Sequence, residues 1–437
     1  MSNATPTVPF YPVTHDDGLD IVEKLEGIRQ ALAPTKSGTI YGFHIDSSES
    51  DPAAAVTYVG DAVGMTPAAM NFSSGVFSYG SWGNAFFMPR PCMLKYDGTV
   101  DYYLDPNDYT KKYGSSTASD VATDSYAGNA MMEWGQNGKK IWYKIVPDAD
   151  PTSCTVYIAD YQADGDFKAW SFINSAGEYT DHFYTPIYNG WLDSSNRMRS
   201  ISGKTPTASL TAANERTYCR KNNESLAIWD TEVFADVILI NFLLVLMGKS
   251  LNTQAVFGEG CTTPGQGGVL ATGTGNALGM FFGYSGTTSV VKVFGMENWW
   301  GNLWRRFGGL INDNGTMKYK LTRGTQDGSS ESDYVVSTTS GDYSGYLQGG
   351  SMPTSGSGSY IKRMIYNKYA YTPSELSGYA TTFYGDGCWF SNGQVDYAFR
   401  GGRAVDGSPC GAFCLFLGLA ASYAAWDLAA APSCKPL

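Results

Sequence analysis

Apolar residues in this chain come in short runs that Gly, Asp, Pro and Ser keep interrupting, and that punctuation constrains the fold more than any other feature. An interior Gly costs a helix about 1 kcal/mol and an interior Pro about 3. A chain of 437 residues with 51 Gly and 19 Pro is therefore not built mainly from long helices. Thirty Tyr, 21 Phe and 11 Trp supply the large rings that short strands bury well. The expected class is α+β and β-rich. The longest apolar run, Val237 to Met247, is the exception and reads as the core part of a helix over Trp229 to Met247. With Asn241 inside it and Asp236 beside it, the run falls well short of the roughly 20 apolar residues that cross a bilayer.

Length predicts more than one unit. Residues 1–36 read as an arm in which Asp17 to Ala33 forms a helix, capped by Asp16 or Asp17 and stopped by Pro34. Its Ile21, Leu25, Ile28 and Leu32 follow a 4-3-4 spacing, so the helix either lies on its own domain or forms an oligomerising stalk, a trimer in the second case. Residues 37–128 read as a small β-rich domain with runs at Thr39 to His44, Ala55 to Val59, Val76 to Ser78 and Thr99 to Leu104. Residues 129–437 read as a larger domain with strands at Lys140 to Val146 and Cys154 to Asp160. Its Ser/Gly/Thr-rich stretch Arg323 to Gly358 reads as a solvated insertion.

Several function classes have little support. A formal charge of −11 with no basic run repels phosphate backbones, so no nucleic-acid partner is expected. No charged leader followed by an apolar core opens the chain, which predicts synthesis in a cytosol and no membrane insertion. The histidines, His15, His44 and His182, lie far apart and outside any ligand or triad spacing. Gly203-Lys204-Thr205 and Gly248-Lys249-Ser250 lack the earlier Gly of a phosphate loop, with Met198 and Leu243 standing there instead. The run Gly273 to Gly279 misses the dinucleotide spacing by one residue and reads as a Gly-rich turn. The eight Cys lack zinc spacing and read mostly as buried thiols, with Cys410 and Cys434 a possible pair in an oxidising medium. No cofactor, metal or catalytic residue is assigned.

Two segments carry more information. In Gly295-Met-Glu297-Asn298-Trp299-Trp300-Gly301-Asn302-Leu303-Trp304, three large rings sit among one Glu and two Asn that can accept from their N–H groups, as in a core knot. The second segment joins Gly401-Gly402, Gly411-Ala412-Phe413, a lone Trp426 and the terminal Ser433-Cys434-Lys435. The first resembles the Gly-Asn-x-Trp signature of the formylglycine-generating-enzyme branch of the C-type lectin fold. The second resembles the fixed skeleton of variable proteins served by diversity-generating retroelements, the family that includes the major tropism determinants of phage tail-fibre tips. The resemblance covers roughly 128–437 and is strongest over the last forty or so residues. Ala429 and Pro432 depart from it, where Gly and Leu are usual.

That resemblance implies a C-type-lectin-like C-terminal domain, a variable region at about 386–434, and binding in place of catalysis. The template of such proteins holds Asn codons that adenine-directed mutation rewrites. Between the landmarks stand Arg403, Val405, Asp406, Pro409, Phe416, Gly418, Leu419, Tyr423, Ala425 and Asp427, all types reachable that way, with no Lys, Glu, Gln, Met or Trp among them. These ten are the candidate ligand-binding positions, with Phe416, Leu419 and Tyr423 as anchors and Arg403, Asp406 and Asp427 as rim charges. The stretch Cys414 to Trp426 has no strand period, which suits either random occupancy of exposed sites or a buried Ala/Leu-rich strand pair. The family implies a host-surface protein or glycan as ligand, a homo-oligomer, and a place on the virion tail. A bacterial surface adhesin and a formylglycine-generating type of oxidase, for which Cys410 and Cys414 are the only close pair, are the alternatives.

Overall fold

The long apolar run does form a helix, Phe234–Gly248, and every residue of it is buried. A helix apolar on all sides has no face to offer water, so other elements must enclose it. Phe43, Tyr143 and Tyr371 reach its Phe242 with ring separations of 6.0, 5.9 and 5.5 Å, and Phe234 stacks on Phe307 at 5.7 Å. Asn241 donates to the carbonyl of Ala412 and the hydroxyl of Tyr371 and accepts from the indole of Trp299. Asp236 faces Lys435 at 3.0 Å, with both side chains fully enclosed. Burial lowers the ammonium of Lys435 to about 8 despite that partner. The helix starts later than expected: Trp229–Thr231 is a strand antiparallel to Pro432–Cys434, and Val233 is still extended.

The computed structural model describes residues 38–324, 334, 347–351 and 357–437. Strand accounts for 33% and helix for 11%, which places the protein in the α+β, β-rich class. One sheet of seven strands runs in the order Trp229–Thr231, Pro432–Cys434, Phe183–Pro186, Gly128–Trp134, Arg90–Lys95, Val100–Asp105, Asp108–Lys112. A four-stranded sheet orders Val56–Gly60, Ile40–Ile45, Cys154–Ala159 and Trp142–Pro147. The largest sheet has at its centre Thr316–Tyr319, Trp304–Asp313, Val395–Arg400, Leu415–Leu417 and Gly387–Phe390, and Leu428–Ala429 runs parallel to its strand Trp304–Asp313.

These pairings correct the domain division. Arg90–Lys95 pairs with Gly128–Trp134 from Arg90↔Glu133 to Lys95↔Gly128, and Ile40–Ile45 lies between Val56–Gly60 and Cys154–Ala159. The break expected at 128 thus cuts through two sheets, and Thr39–Leu437 forms one compact unit. Strand partners distant in sequence leave no trace in local composition, so the small domain over 37–128 has no counterpart. The expected helix Asp17 to Ala33 and most of the insertion Arg323 to Gly358 lie outside the described residues.

All eight Cys are buried free thiols, and Cys410 and Cys434 do not pair. Cys410 lies against Gly402, whereas Cys434 belongs to the cluster around Cys92, Met131 and Trp229. Trp299 and Trp300 are buried as the core-knot reading requires, but their N–H groups go to Asn241 and to the carbonyl of Gly258, not to the nearby Glu297. Glu297 instead accepts from the backbone N–H groups of Gly273 and Gly275, so the protein's own carboxylate fills the Gly-rich turn.

Candidate ligand-reading face

The strands Trp304–Asp313, Val395–Arg400 and Leu415–Leu417 lie side by side, and their ends meet the C-terminal loops over a cavity of about 260 Å³. The cavity's apolar wall comes from Trp304, Phe399, Phe416, Leu419 and Leu428. Trp304 meets Trp389 edge-on at 5.6 Å and Phe416 edge-on at 5.7 Å, and Phe416 stacks on Phe399 at 5.8 Å. Such ring pairs hold their geometry by quadrupole preference as well as by buried area.

Arg403, Tyr423 and Asp427 complete the lining. The guanidinium of Arg403 donates from Nε to Asp406 at 3.0 Å and from Nη1 to Asp427, and the main-chain N–H of Arg403 also reaches Asp406. Burial lifts the carboxyl of Asp406 above its ordinary range, with Arg403 pulling the other way. The three expected rim charges thus pair with one another, one cation between two carboxylates, and Asp427 is buried rather than at the rim. A carboxylate under an aromatic cavity must be paired, and Arg403 is the pairing group.

Five of the ten sequence candidates line this cavity: Arg403, Phe416, Leu419, Tyr423 and Asp427. Val405 is 46% exposed and Tyr423 38%, while Asp406, Pro409 and Ala425 are half-buried outside the lining. Many residues between the candidates are buried, namely Ala404, Cys410 to Leu415, Leu417 and Ala421, as is Leu428 just beyond them. Gly418 is also half-buried, but a Cβ there would lie 2.9 Å from the Ser391 nitrogen, so the position resists larger residues. Trp426, read as scaffold, is only half-buried, and Ser408, Ser422 and Ala424 are exposed residues that the list of ten omits.

The landmark glycines have physical reasons. Gly401 and Gly402 have φ of 88° and 79°, and side chains there would strike the Trp299 carbonyl at 3.0 Å and the Cys410 sulfur at 2.3 Å. The preceding Arg400 is buried over the Trp299 ring at 3.4 Å, donating to the Trp299 carbonyl and to Glu232, which also faces Arg305. Burial brings Arg400 down to about 10, with Glu232 opposing that change.

The stretch 417–427 is neither a strand pair nor loosely held. After the short strand Leu415–Leu417, alternate carbonyls are bound from outside. Asn312 donates to Leu417, the N–H of Tyr397 to Leu419, of Ala212 to Ala421, the guanidinium of Arg306 to Tyr423, the N–H of Ser209 to Ala425, and of Trp304 to Asp427. The lengths fall between 2.7 and 3.0 Å, within the range of good hydrogen bonds. Each bond is made by a backbone oxygen, so it does not depend on the side chain that residue carries. Arg306 is itself buried against Glu215 at 2.9 Å, and burial lifts the Glu215 carboxyl to about 7.

Sequence reading missed the contributors outside the C-terminal segment. Trp304 stands in the core-knot segment, and Arg306, two residues on, carries no signal beyond its place in the Trp304-Arg305-Arg306-Phe307 run. No protein-family model matches the chain, and comparison with curated proteins returns no match.

Proposed function

We propose that this chain is a retroelement-diversified receptor-binding protein that displays the side chains of 403–427 on a C-type-lectin-like scaffold. In this reading it sits on a phage tail and meets a host-surface protein or glycan, with copies joined as a trimer through the N-terminal arm. The observation that carries the proposal is the anchoring of alternate carbonyls from Leu417 to Asp427 by groups outside the segment. An ordinary binding loop is held partly by its own side chains and loses shape when they change. A loop held by its backbone keeps its shape through replacement, which is what a diversified surface requires. Rigid support also limits the ordering cost of binding, and several copies would add effective concentration.

The test is population sequencing of the locus. Differences should gather at Arg403, Val405, Asp406, Pro409, Phe416, Leu419, Tyr423, Ala425 and Asp427, leave Gly401, Gly402 and Phe413 unchanged, and lie near a reverse-transcriptase gene and a near-copy of the segment. Differences scattered evenly along the chain would overturn the proposal.

A further inference from the structure

A larger cavity of about 590 Å³ lies away from the 403–427 segment, between the hairpin Trp191–Leu192/Met198–Arg199 and the turns carrying Tyr96 and Asp124 to Ala127. Its lining differs in kind from the aromatic cavity. Three half-buried rings, Tyr96, Tyr126 and Trp191, stand among Ser125, Ser194 and Ser195, and Ala127 is the only aliphatic side chain among the lining residues. A peptide's apolar side chain would find no aliphatic enclosure here. A sugar presents ring C–H faces and a fringe of hydroxyls, and this lining offers aromatic platforms with polar groups between them.

The rings are held in place by cations. Lys204, paired with Asp124, sits 4.5 Å from the centre of the Trp191 ring, and Arg197 sits 5.2 Å from that of Tyr96. Their polar tips remain open: among the described residues, neither the indole N–H of Trp191 nor the hydroxyl of Tyr96 has a protein partner. A buried group fixes the wall. Arg199 lines the cavity with its side chain only 2% exposed, and its Nη groups hold the carbonyls of Asp124, Tyr126 and Gly128. These bonds fix the turn that presents Asp124, Ser125 and Tyr126 to the cavity.

We infer that this cavity is a second binding site, for a neutral oligosaccharide, with Trp191 and Tyr96 as stacking platforms and Asp124 and the serines as hydroxyl partners. It would give the protein an attachment function that does not vary with the C-terminal segment, whatever that segment binds.

The experiment is isothermal titration calorimetry of the full chain with maltohexaose, cellohexaose, chitohexaose and mannohexaose, each to about 10 mM, a range that detects millimolar binding. At least one should bind. Trp191→Ala should weaken that sugar more than tenfold, Tyr96→Phe about threefold, and Phe416→Ala not at all. If none of the four sugars binds, the inference fails. It fails equally if binding survives Trp191→Ala in a variant with unchanged thermal unfolding, or if Phe416→Ala abolishes it. Should Trp191→Ala not fold, Tyr96→Phe decides, because it removes only the hydroxyl and unchanged binding then counts against the site.

Discussion

If backbone carbonyls hold the C-terminal loop, side-chain replacement on its exposed positions should cost little, and replacement of a buried neighbour should cost much. Consider a triple variant, Val405→Asn, Tyr423→Asn and Ala425→Asn, against the single change Leu417→Asn. Val405 and Tyr423 are 46% and 38% exposed, Ala425 is half-buried, and the carbonyls of Tyr423 and Ala425 stay available to Arg306 and Ser209. Surface changes of this kind fall within about 0.5 kcal/mol each, so the triple variant should lose at most about 1.5 kcal/mol. Leu417 is fully buried. Removing its side chain forfeits about 2 kcal/mol or more of packing, and an unpartnered carboxamide adds about 1–3, for a total of roughly 4 kcal/mol. Urea unfolding followed by tryptophan fluorescence measures both, with net stabilities of about 5–15 kcal/mol leaving room to see the difference. A triple variant as damaged as Leu417→Asn would mean that side chains, not carbonyls, maintain the loop.

Gly418→Ala should destabilise by about 1–2 kcal/mol, because its Cβ would meet the Ser391 nitrogen at 2.9 Å, whereas Ala425→Gly should change little; matched urea curves compare the two. Glu215, raised by burial to about 7 from 4.5, stabilises the fold fully below about 4.5, and that contribution is lost as pH rises through 7. The stability difference between the wild type and Glu215→Gln should therefore shift by roughly 3 kcal/mol from pH 4.5 to 7.5, and a flat difference would contradict the burial of a titrating carboxyl. Asp230, held by Arg216 and Arg220 down to about 2 from 3.8, acts in the opposite direction. Its contribution of roughly 2 kcal/mol is present above pH 3.8 and lost as pH falls towards 2, so Asp230→Asn should remove an acid-unfolding step seen by circular dichroism.

The parts of the fold that sequence made legible are those decided locally. The helix Phe234–Gly248 stood out because no other stretch is so uninterrupted, and several strands, such as Val76–Ser78 and Cys154–Ala159, matched their alternating runs closely. The boundary at 128 misled because Arg90–Lys95 meets Gly128–Trp134 across a stretch whose composition changes without a break in pairing. The first residues of the expected helix were lost to a strand for the same reason, since the partner of Trp229–Thr231 lies some two hundred residues on, at Pro432–Cys434. At the site, sequence pointed to candidate residues but not to what holds them. Trp304, Phe399 and Arg306 come from strands before the segment, and only the sheet brings them under it. The charges were placed wrongly because a list of Arg403, Asp406 and Asp427 does not show that each is another's partner.

That pairing bears on how far such a surface can vary. Val405 and Tyr423 are the two exposed side chains among the ten candidates, so replacing either alters mainly the surface. Replacing Arg403 alone would leave Asp427 buried without its cation, and breaking a buried pair from one side costs about 3–5 kcal/mol where enclosure is complete. Arg403 is only partly enclosed, so the cost here is smaller, but it still sets Arg403, Asp427 and the other partner Asp406 apart from the rest. Changes at 403 and 427 should therefore travel together, an Arg or another donor at one with a carboxylate at the other, or neutral residues at both. Positions anchored only through their carbonyls have no such tie. The backbone lattice from Leu417 to Asp427 thus confers independence position by position, and the ion-paired cluster of Arg403, Asp406 and Asp427 is where independence should fail.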